Sequence, residues 1–405
     1  MVRGGRGAVR VLRQPEAVVA AAAIVVLAAG IAFGCGSGRP GTPVTASASP
    51  TRGSEQGSHG SAGNRAAGTE PAGTEPADPG AAGAGSVGTE SFASRQARIR
   101  EEVTGQRSTG HSGTGGLTRT AVDPSLFSPG SCVVFTPRGG GTQGETVFID
   151  AGHGGLDPGG VGVAQDGSQV AESQVNLPIE MAAMEVLTSE GYRVVVSRTT
   201  QATVLRLRPG DTDGNLLTVA GAHADIAARD VCANKGHANL LMGVYMNSGD
   251  WGAAGSVTIY DDVRSFSAES LRLATLLQSD VLGKLNATGY GIPDDGVQDD
   301  WQMGSTLSAA GAAYGHLIML GPAKAGYFTT PSQMPGALIE PLFLSDPFEA
   351  SIAASAKGQR LIAEGITDAA GQYFAFAKSA AKSAAKSAAE SVRHDDVIRY
   401  HVAHG

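Results

Sequence analysis

Apolar residues along the 405-residue chain are bunched between about Val147 and Phe376, where short buried-type runs alternate with helical stripes. Val147–Asp150 reads as a short buried strand. From Glu172 to Glu190 the apolar side chains Val175, Ile179, Ala182, Ala183 and Val186 fall on one helical face. Gly191 breaks that pattern, and Tyr192–Ser197 reads as the next strand. A helix over Ala222–Asn234 follows, then strands over Leu240–Tyr245 and Ser256–Tyr260, and a helix over Ser267–Leu285. Leu317–Leu320 and Leu338–Glu340 have strand character, and a closing helix runs from about Ala350 to Phe376. Strands alternating with helices predict βαβ units, hence a three-layer α/β domain with a mostly parallel twisted sheet covered on both faces. Roughly 230 residues suffice for a substantial core. The polar stretch Gln201–Gly221 fits neither pattern and reads as a surface insertion.

The flanks are different in kind. Arg3, Arg6, Arg10 and Arg13 precede an uncharged run from Ala17 to Gly34, so residues 1–35 read as an export signal. Three outcomes stay open: a membrane anchor, a cleaved secretory signal, or a lipoprotein acylated at Cys35 after Ala32-Phe33-Gly34. All three put the folded domain outside the cytoplasm. Residues 36–123 are rich in Gly, Ser, Thr, Ala and Pro, with few apolar residues and a direct Gly-Thr-Glu-Pro-Ala repeat. Such a stretch cannot bury enough surface to order itself, so a flexible linker is expected. Its reach would be on the order of 50 Å. The folded domain is then expected over 124–377, with an Ala/Lys/Ser-rich extension over 378–405 whose four-residue period suits a solvated helix.

A net charge of −8 and the lack of a basic stripe argue against a nucleic-acid partner. With Cys35 set aside, Cys132 and Cys232 remain. In an oxidising compartment they are expected to pair, the alternative being two buried thiols. Paired, they close a loop of about 100 residues, worth up to about 4.7 kcal/mol in the chain-entropy model.

Candidate chemistry concentrates at three places. His153 lies in a glycine turn at the end of the first strand, where an open α/β sheet builds its sites. Glu172 opens a helix. Glu340 ends an apolar run, where a carboxylate must be paired, on a metal, or functional. One histidine and two carboxylates on separate elements suggest a zinc hydrolase. Reading Gly155–Gly162 as a phosphate loop fails, because Pro158 intervenes and no helix follows Gly162 directly.

The turn Asp150-Ala151-Gly152-His153-Gly154-Gly155-Leu156-Asp157-Pro158-Gly159 resembles that of the zinc-dependent N-acetylmuramoyl-L-alanine amidases, the amidase-3 family. The likeness spans roughly residues 146–377. It continues through Glu172, Asn176-Leu177, Val196-Ser197-Arg198-Thr199-Thr200, Arg229, Ala233-Asn234, Pro335 to Glu340, and Phe343-Leu344-Ser345. The resemblance implies cleavage of the amide between N-acetylmuramic acid and L-alanine of the peptidoglycan stem peptide. It also implies His153 and Glu172 as zinc ligands and Glu340 as catalytic base. The chain departs from the family where a Ser-Ile-His-Ala-Asn segment is expected. Gly243-Val244-Tyr245-Met246-Asn247 stands there, putting Tyr245 in the second histidine's ligand position. A phenol must ionise to coordinate, and His223, His237 or His316 are the histidines that could substitute. Pro341-Leu342 also replaces the usual small pair after the glutamate. Asn247, Arg206 and Arg208 are expected at the substrate, with Arg264 as a further candidate for stem-peptide carboxylates. A monomer acting on peptidoglycan, attached to the membrane through its N-terminus or a lipid, is the resulting expectation. The alternative is an amidase-like binding or regulatory protein without turnover, a reading that rests on Tyr245.

Overall fold

The computed structural model describes residues 116–137 and 141–404. The export signal with Cys35, and nearly all of the linker stretch, lie outside the described residues. Among the described residues, twelve strands occur in chain order: β1 Leu117–Ala121, β2 Ser131–Pro137, β3 Thr146–Ala151, β4 Val161–Val163, β5 Gln169–Ala171, β6 Arg193–Arg198, β7 Thr212–Asp213, β8 Leu216–Leu217, β9 Leu240–Val244, β10 Ser256–Tyr260, β11 Asp294–Asp299 and β12 Gly336–Glu340. The helices among the described residues are α1 Glu172–Ser189, α2 Val219–Lys235, α3 Ser267–Asn286, α4 Ala309–Tyr314, α5 Pro347–Ala354 and α6 Ala356–His404.

Eight strands form one sheet in the order β1-β2-β6-β3-β9-β12-β10-β11. Its centre, β6-β3-β9-β12, is parallel. Antiparallel pairing enters at β1-β2-β6 on one side and at β12-β10 on the other. All six residues of β3 are buried, as a central strand covered on both faces requires. Val175, Ile179, Leu187, Leu273, Leu277, Ile362 and Ile366 bring α1, α3 and α6 onto one face. Ala228, Cys232 and Ala233 of α2, with Met319 and Met334, cover the other. This is the expected three-layer α/β architecture.

The differences from expectation have physical causes. Strand β1 lies within the stretch read as linker. Its five residues are all exposed, so it joins the sheet through backbone bonds to β2 and leaves no apolar signature. Strand β11, Asp-Asp-Gly-Val-Gln-Asp, is a polar edge strand for the same reason. Leu317–Leu320 is not a strand. The amides of Leu320 and Gly321 both return to the Leu317 carbonyl, forming a turn whose apolar side chains plug the core beside α2. The closing helix is broken at Ser355 and continues as α6 through the lysine repeats. The Gln201–Gly221 stretch carries the β7–β8 hairpin. Cys132 and Cys232 form a disulfide with Cα atoms 5.6 Å apart, tying β2 to α2. Among the described residues, no helix is long and apolar enough to cross a membrane.

Candidate functional site

Because β3, β9 and β12 run parallel, their carboxyl ends meet at one edge of the sheet. The loop after β3 carries His153, Tyr245 follows β9, and Glu340 is the last residue of β12. Helix α1 starts beside them without a side-chain cap. Its amides at Glu172 and Ser173 bond instead to the carbonyls of Gly160 and Pro158, which fastens the His153 loop to the helix.

His153 adopts a left-handed backbone, φ 61°. Such a conformation costs a non-glycine residue on the order of 1–3 kcal/mol and tends to mark functional sites. Two buried arginines hold it there. Arg198 donates to the carbonyls of Ala151, Gly152 and Ser173. Arg229 donates to the carbonyls of Ala151 and His153 and to the carboxylates of Asp150 and Asp225. The imidazole Nδ1 lies 2.8 Å from Asp157 Oδ2, and Nε2 lies 3.1 Å from Glu172 Oε2. Glu172 in turn accepts the amides of Gly160 and Met246, each at 2.9 Å. Burial alone would lower the imidazole's pKa, but the Glu172 charge and the Asp157 bond outweigh it and lift it to about 10. Glu340 is half-buried at its strand end. Burial, reinforced by Glu172 and opposed by His153, pushes it up to about 8.

The His153–Glu172 pair suits two neighbouring positions on a zinc ion. Tetrahedral ligands at normal zinc bond lengths stand about 3.3 Å apart, close to the 3.1 Å between Nε2 and Oε2. The Asp157 contact at Nδ1 is the outer bond that leaves Nε2 free for a metal. Asp157 was not singled out from the sequence, although a carboxylate four residues after the histidine in a tight turn is a readable signal.

Tyr245 corrects the expected third ligand. Its hydroxyl donates to Asp150 Oδ2 at 2.9 Å and lies 3.2 Å from Met319 Sδ. Only the ring approaches His153, edge-on with centroids 5.4 Å apart. The slot exists because Gly152 lacks a side chain: a Cβ there would stand 2.4 Å from the tyrosine ring. Burial, then the Asp150 charge, raise the phenol well above its usual range, so it stays protonated. None of the three substitute histidines takes its place. His223 packs against Tyr327 with the rings tilted at 51°, His237 is exposed after α2, and His316 is paired with Asp261 and Asp300.

The expected substrate residues are dispersed. Asn247 is buried, with Oδ1 accepting the Ser248 amide at 2.7 Å. Arg206 donates to the Pro124 carbonyl, while Arg208 is exposed. Arg264 is committed to the carbonyls of Leu320, Gly321 and Ser332, which removes it as a free carboxylate partner.

Comparison with known proteins gives a consistent result. The profile of the family described as N-acetylmuramoyl-L-alanine amidase matches residues 147–372. The germination-specific N-acetylmuramoyl-L-alanine amidase of Bacillus subtilis (strain 168) is 26% identical over 235 residues, covering 57% of this chain and 81% of that protein. The uncharacterized protein YqiI of the same organism is 26% identical over 233 residues, 57% of this chain and 86% of its own length. Among solved structures, an N-acetylmuramoyl-L-alanine amidase from Clostridium difficile 630 is 24% identical with a TM-score of 0.39, covering 57% of this chain and 97% of that one. The CwlD amidase of Clostridioides difficile, solved with the GerS lipoprotein, is 21% identical with a TM-score of 0.42, covering 57% and 99%.

Proposed function

The chain belongs to the N-acetylmuramoyl-L-alanine amidase family, and on that premise we propose that it hydrolyses the amide between N-acetylmuramic acid and the L-alanine of the peptidoglycan stem peptide. The observation that carries this reading is the meeting at one sheet edge of the His153–Glu172 pair, 3.1 Å apart, and Glu340, the last residue of β12, whose neighbour Ile339 is in register with Val244 of β9. His153 and Glu172 are the residues that would hold zinc. When bound, the ion polarises the scissile carbonyl and makes a water easier to deprotonate. Glu340 takes the proton of the attacking water. A carboxyl with a pKa near neutrality can both accept that proton and return it to the leaving amine, which departs poorly unless protonated. Asp157 keeps the His153 proton on Nδ1, and the two arginines keep the loop from drifting.

The same reading puts the protein outside the cytoplasm as a monomer, held at the membrane by residues 1–35 or by a lipid on Cys35, or secreted after cleavage. The linker would end before β1. Asn247, Arg206 and Arg208 would bound the substrate side.

A second reading is favoured by one observation, the commitment of Tyr245 to Asp150. Two protein ligands hold zinc less firmly than the three usual at catalytic sites. An amidase-like protein that binds peptidoglycan without turnover is therefore the competitor. Zinc content and muropeptide release from purified sacculi separate the two. We expect release by the wild-type chain, lost on chelation and reduced on the order of 100-fold or more by Glu340→Gln. A zinc-free, inert wild type that gains release on Tyr245→His would establish the binding protein instead.

A further inference from the structure

We propose that Asp261, Asp300 and His316 form a second metal site, structural in role, for a divalent cation of the zinc class. The three side chains are buried, and one ligand atom from each lies within 4.8 Å of the others. His316 Nδ1 faces Asp300 Oδ1 at 2.9 Å and Asp261 Oδ2 at 3.0 Å. These separations lie a little below the spacing of neighbouring ligands around one small cation, about 3.3 Å.

Hydrogen bonding alone leaves the group unsatisfied. A ring nitrogen carries at most one hydrogen, yet two carboxylate oxygens converge on it. Asp261 Oδ2 is accordingly a buried oxygen with no hydrogen-bond partner, on a side chain only 3% exposed. The other oxygen of each carboxylate is fully served. Asp261 Oδ1 accepts the amides of Val263 and Arg264, both at 2.9 Å, and Asp300 Oδ2 accepts the Leu317 amide at 2.9 Å. One oxygen fixed by backbone donors and the other aimed at a shared point is how outer contacts orient metal-binding carboxylates. Two carboxylates and a neutral imidazole balance a dication, and imidazole with carboxylate oxygens suits zinc better than the all-oxygen ions.

The group is separate from the His153 site. Strands β10 and β12 are antiparallel, with Val257 beside Glu340 and Ile259 beside Leu338. Asp261 therefore leaves the sheet at the far end, roughly 13 Å along the strand direction from the level of Glu340. Its role follows from what it joins: the ends of β10 and β11, and the turn that seats Met319 against the Tyr245 hydroxyl.

Equilibrium dialysis of the full-length chain against zinc tests the assignment. In a His153→Ala background, which disables the other site, we expect one zinc per chain and a zinc-dependent rise in Tm. Adding Asp300→Asn should weaken zinc binding by at least roughly 100-fold, the upper end of the loss from an outer contact alone, and abolish the rise in Tm. No zinc in the His153→Ala chain, or zinc held equally after Asp300→Asn, overturns the proposal. Should Asp300→Asn not fold, the His316 ring nitrogens report directly by NMR in the His153→Ala chain. A zinc-induced shift is expected, and its absence refutes the site.

Discussion

At Gly159 the backbone has φ +69°, and a Cβ would stand 2.6 Å from Glu172 Oε2 and 2.7 Å from His153 Cδ2. Gly159→Ala should thus displace both residues at once. We expect muropeptide release to fall on the order of 100-fold, the effect of a misplacement of about 1 Å. The circular dichroism spectrum should stay folded, and its collapse would assign Gly159 to folding instead. Asp157 invites a gentler change. Asp157→Asn keeps the contact to His153 Nδ1 but removes the charge, and zinc affinity should fall about 10- to 100-fold. Competition with a chromogenic chelator reads this, and unchanged affinity would mean that Asp157 does not orient the ring.

Elements are joined here by buried charges more than by loops. Arg229 of α2 reaches across to the end of β3, and its loss would strand Asp150 and Asp225 in the interior. Arg229→Leu should cost about 3–5 kcal/mol, measured by urea unfolding. Glu180 of α1 accepts the Ser197 amide and hydroxyl in β6, while burial, opposed by Arg198 and reinforced by Asp150, raises it to about 8. For an acid raised above its unfolded value of 4.5, the stabilising contribution is complete below that value and disappears as pH climbs through 8. Tm should therefore drop between pH 5 and pH 8.5, at about 2–4 °C per kcal/mol for a domain of this size. Glu180→Gln keeps an acceptor for Ser197 and should flatten that drop, whereas an unaltered slope would remove Glu180 as its source.

These same elements show what patterning can and cannot convey. The buried strands and α1, α2 and α3 were readable because burying a face imposes a period on the sequence. Strands β1 and β11 were not, since edge pairing uses backbone groups and leaves side chains free to be polar. That His153 and Glu172 belong together was an implication of the family resemblance, since Glu172 opens a helix that strand order alone does not place. The direction of the Tyr245 hydroxyl was not readable, because it depends on Asp150, Met319 and the slot at Gly152, which meet only in three dimensions. His316 likewise gave no hint of Asp261 and Asp300, 55 and 16 residues away.

Across the whole molecule, the bridge from Cys132 to Cys232 closes a loop of sequence separation 100. Reduction should remove up to about 4.7 kcal/mol on the chain-entropy account, visible as a lower Tm in dithiothreitol. An unchanged Tm would mean that packing alone holds β2 to α2. The bridge also lies three residues from Arg229, the clamp on the His153 loop. If the chain is exported as proposed, a newly made copy in a thiol-rich cytosol would accordingly carry its reaction centre on a looser mount than one oxidised afterwards. Maturation and safety would then coincide, with a wall-cutting tool tightened only once it stands on the side of the membrane where the wall is.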